Sequence, residues 1–164
     1  MTTLIVYFSK FGNTRKLAEA MAETLRPSAD VRAISIDRLA PADFEGVDLV
    51  VMGTPTHAFS VPQPVRTAME ALPLGILAAK SVAAFDTTVR PWPLRRLRAS
   101  PKLLRHLTDL GGGPIARPQT FFVKTSNPRK TGQIDLLFEG ELDHARKWAA
   151  GLLGQANAQQ GRAM

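Results

Sequence analysis

The sequence predicts an α/β fold in which a parallel β-sheet is covered by helices on both faces. Short, continuous apolar runs rich in β-branched residues alternate with longer segments whose apolar residues recur at helical spacing. Runs that are apolar at every position are typical of strands buried on both faces, as in parallel sheets. The alternation predicts right-handed βαβ units around one sheet. We therefore expect one doubly wound domain in the 164 residues.

The predicted strands and helices follow from these two patterns. Strands are expected at residues 4–8, 31–36, 48–53, 81–85 and 120–124, and helices at 14–26, 61–72, 101–110 and 141–153. The stretch 126–137 fits either a loop or a small hairpin. Residues 1–154 form the predicted domain, and the polar, Gln- and Ala-rich residues 155–164 are expected to be a disordered tail.

Two serines are predicted to start helices. Ser60, with Gln63 three residues later, resembles a capping box that precedes the second helix, with Pro62 or Pro64 in its first turn. Ser100 is followed by proline, which favours an N-cap at Ser100 for the third helix.

The composition limits the chemistry available to the chain. The sequence contains no cysteine, so disulfides, thiolate metal sites and thiol redox chemistry are excluded, and any redox work falls to a bound cofactor. Three scattered histidines do not predict a metal site. No window holds eighteen uninterrupted apolar residues, and the amino terminus has no basic leader, so we expect a cytoplasmic protein without a transmembrane segment.

The net charge of +7 is concentrated in one part of the chain, the basic segment (residues 90–106). It holds six cations and no acidic residue: Arg90, Arg95, Arg96, Arg98, Lys102 and Arg105. This pattern fits either a solvated surface or a surface that attracts an acidic protein, a phosphorylated substrate or a membrane surface. The segment carries no recognised nucleic-acid-binding motif, so no specific nucleic-acid partner is expected.

Three loops leave the carboxyl ends of predicted strands, where ligands bind in open parallel sheets. We call them the first loop (residues 9–14), the second loop (54–61) and the third loop (87–93). The first loop combines Ser9, Gly12, Asn13 and Thr14 at a helix start, a pattern that favours phosphate binding through backbone N–H groups and the helix dipole. A helix start that is merely capped would also explain it.

Residues 5–14 resemble the phosphate-binding loop of flavodoxins, and residues 50–57 resemble the second flavodoxin loop. Residues 84–87 and 139–143 resemble segments of bacterial flavodoxin-like proteins of similar size. The resemblance implies a five-stranded sheet in the order 2-1-3-4-5 and a non-covalently bound flavin mononucleotide (FMN) that transfers one or two electrons. No catalytic residue is assigned.

The resemblance also implies which residues hold FMN. The phosphate would be wrapped by Ser9, Lys10, Phe11, Gly12, Asn13 and Thr14. One side of the isoalloxazine ring would be flanked by Thr54, Pro55, Thr56, His57 and Phe59. The pyrimidine end or the other side of the ring would face Thr87, Thr88, Arg90 and Trp92.

The sequence departs from the flavodoxin pattern in two respects. Phe11 replaces a hydroxyl residue in the phosphate loop, which removes one hydrogen-bond donor. The basic segment replaces the acidic surface that is usual around the flavin, so an acidic redox partner protein is expected. If the chain is an enzyme, the expected substrate is a flat aromatic molecule such as a quinone.

Several functions remain open. The chain is expected to be an electron carrier or a small FMN-dependent oxidoreductase of the quinone or protoporphyrinogen type. The alternative is a flavin-free interaction module that uses the basic segment.

Overall fold

The computed structural model describes residues 1–58, 60–89, 98–124 and 136–163. Six strands and four α-helices follow one another in these ranges. The strands are β1 Thr2–Tyr7, β2 Asp30–Ser35, β3 Leu49–Pro55, β4 Ser81–Val89, β5 Gly113–Pro114 and β6 Gln119–Val123; the helices are α1 Asn13–Leu25, α2 Gln63–Glu70, α3 Ala99–Asp109 and α4 Glu141–Ala163. Two short 3-10 turns, Ile36–Arg38 and Pro41–Phe44, precede β3. In these described parts, no helix is long and apolar enough to cross a membrane.

The sheet is parallel and has the strand order 2-1-3-4-5 that the sequence predicts. The first four positions are occupied by β2, β1, β3 and β4. The fifth position is shared, because β5 pairs with the start of β4 and β6 pairs with its end. The sequence predicts β6 but not β5, since β5 is only the two residues Gly113–Pro114. The predicted doubly wound fold is confirmed.

Strand alternation divides the core into two layers. Leu4 and Val6 of β1 point to the face covered by α2 and α3, whereas Ile5 points to the face covered by α1 and α4. All three side chains are fully buried. Covering both faces requires that strand residues be apolar at every position, which is why the sequence shows continuous runs.

Both predicted serine caps are wrong. Ser60 exchanges backbone hydrogen bonds with His57 in an antiparallel bridge, so α2 begins later, with Pro62 at its N-cap position and Pro64 in its first turn. Helix α3 begins one residue before Ser100. The side chains of Thr56, in the second loop, and Asp86, in β4, bind the first backbone N–H groups of α3, and local capping by Ser100 is therefore not needed.

The last helix differs from the sequence expectation, which placed a disordered tail after Gly154. Helix α4 continues to Ala163. Ala156 is buried in the layer formed with α1, and Gln159 lies 3.4 Å from the Ser81 hydroxyl at the start of β4. Tertiary packing of small residues therefore extends a helix whose polar composition alone does not predict it.

Glycine at position 53 is required by close packing between β3 and β4. A Cβ atom added there would lie 2.0 Å from the ring of the fully buried Phe85. We predict that Gly53→Ala lowers the free energy of unfolding by about 1–3 kcal/mol, because the ring must leave its place. Urea denaturation measures this effect.

Gly151 provides the matched control for that substitution. It lies exposed on α4, and an added Cβ atom meets nothing within 4 Å. Gly151→Ala should raise the free energy of unfolding by about 0.5–1 kcal/mol through helix propensity. Equal effects of the two substitutions would contradict the packing explanation.

Candidate functional site

The carboxyl ends of β1, β3 and β4 surround one cavity. The register places Tyr7 beside Gly53 and Pro55 beside Thr87, so the loops that follow these strands emerge together. The cavity has a volume of about 50 Å³ and is lined by Ser9, Lys10, Phe11, Asn13, Thr14, Pro55, Thr56, His57, Thr87, Thr88, Val89 and Val123. A space of this size holds a few water molecules or a comparably small polar group.

The first loop forms a tight turn into α1. Gly12 has a φ of 91°, a left-handed conformation that glycine adopts without strain. The Ser9 Oγ accepts hydrogen bonds from the backbone N–H groups of Gly12 (3.0 Å) and Arg15 (3.3 Å). The next two residues begin the helix, and their N–H groups have no acceptor within it. The turn therefore places the start of α1, with its first N–H groups and the positive end of the helix dipole, at the cavity that Asn13 and Thr14 line.

Three buried polar side chains complete the wall beside this turn. The Thr14 and Thr87 hydroxyl oxygens lie 3.0 Å apart, which connects the start of α1 to the end of β4. Asn13 is only 7% exposed, and its Oδ1 has no hydrogen-bond partner among the described residues. A buried polar atom without a partner costs about 1–3 kcal/mol, so this position is suited to a ligand that supplies one.

Thr56 in the second loop is held from behind the cavity by Asp86. Its hydroxyl donates to Asp86 Oδ2 (3.2 Å) and accepts from the Ala99 N–H (3.0 Å). Asp86 is fully buried, and this burial raises the pKa of its carboxyl group. Hydrogen bonds from Ser100, Thr120 and Thr56 oppose the rise.

His57 lies half-buried at the mouth of the cavity. Burial lowers its pKa, and the positive charge of Lys10 lowers it further. The imidazole is therefore neutral at pH 7 and presents a flat ring with one donor and one acceptor. The following residue, Ala58, has a φ of 44°, which an L side chain rarely adopts.

The structure brings together ten of the residues that the sequence analysis assigns to the site, namely Ser9, Lys10, Phe11, Asn13, Thr14, Pro55, Thr56, His57, Thr87 and Thr88. Gly12 shapes the turn without lining the cavity, and Thr54 is completely buried beneath it. The assignments of Phe59, Arg90 and Trp92 fall outside the described residues. That each residue contacts a cofactor stays a prediction.

Sequence reasoning missed two lining residues, Val89 and Val123. The predicted fourth strand ends at residue 85, although the β-branched residues Thr87, Thr88 and Val89 signal its continuation. Val123 belongs to a predicted strand, but only the pairing of β4 with β6 places it beside Val89.

The fold and the site define a class of protein. An open parallel sheet with an anion-binding turn at the point where the strand order reverses is typical of α/β domains that bind nucleotide-like cofactors. The flavodoxin family profile matches residues 5–97, more than half of the chain. The chain belongs to the flavodoxin family, whose cofactor is FMN. No curated protein matches the sequence significantly.

Solved structures share the fold at low sequence identity. Oxidised flavodoxin 1 from Bacillus cereus is 16% identical with a TM-score of 0.72, and the match covers 94% of this chain and 98% of that chain. A Streptococcus pneumoniae flavodoxin is 19% identical with a TM-score of 0.73, covering 94% and 99%. Rubredoxin oxygen:oxidoreductase from Desulfovibrio gigas is 19% identical with a TM-score of 0.74, covering 97% of this chain and 37% of that chain.

The environment of His57 can be measured directly. We predict that NMR titration gives His57 a pKa below the ordinary value of about 6.5, because burial disfavours the charged ring. Lys10→Ala should raise that pKa only in part, since burial is the larger cause.

The matched control is Lys147→Ala, which removes an exposed lysine on α4. It should leave the His57 titration unchanged. A His57 pKa above the ordinary value, or equal responses to the two lysine substitutions, would contradict the described environment.

Proposed function

We propose that this chain binds FMN at the cavity and exchanges electrons through it with a partner protein. The observation that carries the proposal is the buried, unpartnered Oδ1 of Asn13 beside the unpaired backbone N–H groups of the first loop. These groups are what a phosphate ester and a ribityl chain require: donors for the anion and an acceptor for a hydroxyl.

The residues around the cavity fit the parts of FMN. The backbone N–H groups and hydroxyls of the first loop suit the phosphate, and Asn13 Oδ1 suits a ribityl hydroxyl. His57, Val89 and Val123 offer flat or apolar surfaces for a ring. When bound, FMN accepts one or two electrons, chemistry that a chain without cysteine does not supply itself.

Lys10 offsets the donor that Phe11 removes from the first loop. The Lys10 Nζ lies 5.4 Å from the centre of the Phe11 ring, within the range of a cation–π interaction. This contact holds a positive charge at the rim of the cavity, where it attracts a phosphate. The loop therefore replaces a neutral hydroxyl with an ammonium group.

The basic segment supports the proposal that the partner protein is acidic. Its described part includes Arg98, Lys102 and Arg105 at the start and middle of α3. Helix α3 begins with backbone N–H groups bound to Thr56 and Asp86 at the back of the cavity, so these cations lie on an element anchored to the proposed flavin site. An acidic docking surface would be steered to this side by charge complementarity.

Phosphate recognition provides the test. We predict that FMN binds the apoprotein much more tightly than riboflavin, which lacks the phosphate, by a factor of about 10² or more. Quenching of flavin fluorescence measures both affinities. Equal affinities, or no binding of FMN, would contradict the proposal; no binding would leave the interaction module as the remaining function.

Two threonines on α1 localise the binding. Thr14→Val removes a hydroxyl at the cavity and should weaken FMN binding by about tenfold. Thr24→Val removes a hydroxyl at the other end of the same helix, where it donates to the Ala20 carbonyl, and should leave the affinity unchanged. Equal losses of FMN affinity in the two variants would show that Thr14→Val acts through the stability of α1 and not through the cavity.

A groove beside the cavity favours a second candidate, an FMN-dependent reductase. It has a volume of about 500 Å³ and shares Lys10 and His57 with the cavity. Phe8, Ser60 and Arg66 also line it, so it offers an apolar wall, a hydroxyl and a cation. A flat substrate bound there would lie next to the proposed ring.

Turnover separates the two candidates. If the chain is a reductase, the FMN-loaded protein should oxidise NAD(P)H in the presence of a quinone, and Arg66→Ala should lower the rate by about two- to fivefold. Arg26→Ala, an exposed arginine after α1, is the matched control. Absence of turnover in the wild-type protein would contradict the reductase and support the carrier.

A further inference from the structure

Asp86 places a carboxyl group at a core position of β4 where an apolar residue would also satisfy the packing of the sheet. It lies within β4 between Phe85 and Thr87 and is 0% exposed. Its strand face is the one on which Val82 and Ala84 pack against α3. Burying a carboxyl group here costs free energy that an alanine or valine would not.

One oxygen of Asp86 joins three elements of the site. Oδ2 accepts the Ser100 N–H at 2.8 Å and the Thr56 hydroxyl at 3.2 Å. Because the Thr56 oxygen already accepts the Ala99 N–H, its single proton is directed to Asp86. The carboxylate therefore ties the end of β3 and the first turn of α3 to β4.

The arrangement differs from an ordinary helix cap. Caps are normally supplied by the residue at the N-cap position, but Arg98 at that position makes no side-chain cap. Asp86 supplies the bond from 14 positions earlier in the chain. Its other oxygen, Oδ1, has no partner of good hydrogen-bond geometry among the described residues. Asp86 thus accepts hydrogen bonds from Thr56, from the start of α3 and from the Thr120 side chain on β6.

Thr56 carries this constraint to the cavity. Its N–H donates to the Thr87 carbonyl at 2.9 Å, so the second loop is fixed against the end of β4. Both Thr56 and Thr87 line the cavity, whereas Asp86 does not. The single hydroxyl proton of Thr56 is used by Asp86, so Thr56 has none left to donate to a ligand.

We propose that Asp86 is a positioning residue of the flavin site: it holds the second loop, the end of β4 and the start of α3 at a fixed separation before FMN binds. This inference rests on the proposed FMN function. Preorganisation of this kind strengthens binding because the loops lose less freedom when the ligand arrives.

Two substitutions at Asp86 separate positioning from charge. Asp86→Asn keeps an acceptor for Ser100 and Thr56, and it should retain FMN affinity within about threefold. Asp86→Ala removes the acceptor, and it should weaken FMN binding at least tenfold, the loss of about one such bond. Equal, large losses in both variants would overturn the proposal, because positioning through an acceptor predicts rescue by asparagine.

Leu77→Ala is the control for general loss of stability. Leu77 is fully buried in the same core layer but does not line the cavity. If Leu77→Ala lowers the melting temperature as much as Asp86→Ala does, it should still leave the FMN affinity unchanged. Weakening equal to that of Asp86→Ala would overturn the proposal. Thr56→Val, which removes only the intervening hydroxyl, should weaken binding like Asp86→Ala, and wild-type affinity in this variant would also overturn it.

Hydrogen exchange of the apoprotein tests positioning without FMN. The amides of Ala99 and Ser100 should lose protection in Asp86→Ala and keep it in Asp86→Asn. Unchanged protection in a folded Asp86→Ala variant would overturn the proposal even if FMN binds. If wild-type protein does not bind FMN, the proposed function fails and with it the flavin role of Asp86, whereas the exchange data still show whether Asp86 fixes the loops.

Discussion

The parallel register of β1, β3 and β4 is the constraint on which the whole site depends. Parallel strands end at the same edge of a sheet, and here the register places three loop starts side by side. The turn at Gly12 then begins α1 at this edge, beside the space between the loops. Neither the turn nor the loops would form a site alone; the sheet creates it by bringing them together.

Buried polar groups hold this edge in one arrangement. Thr14 and Thr87 connect α1 to β4, and Asp86 connects β4 to Thr56 and α3. Hydrogen bonds of this kind contribute most where solvent is excluded, since a broken bond leaves a buried polar atom without a partner. The site is therefore built as a connected set of bonds beside the cavity, with the ammonium group of Lys10 at its exposed rim.

The sequence is sufficient for the sheet order and for most of the cavity lining. Continuous apolar runs reveal buried strands, and a glycine before a helix reveals the tight turn of the first loop. It is insufficient where long-range contacts override local signals. Ser100 is followed by proline, a pattern typical of an N-cap, yet Asp86 and Thr56 bind the helix start instead. The shared fifth strand position and the extended α4 likewise depend on partners distant in sequence.

Backbone amide chemical shifts recorded during FMN titration show which loops hold the cofactor. We expect the largest changes in residues 10–14, with further changes in residues 55–57 and 87–89. Changes confined to the groove around Arg66, or no changes in the first loop at saturating FMN, would rule out binding of the phosphate by the first loop.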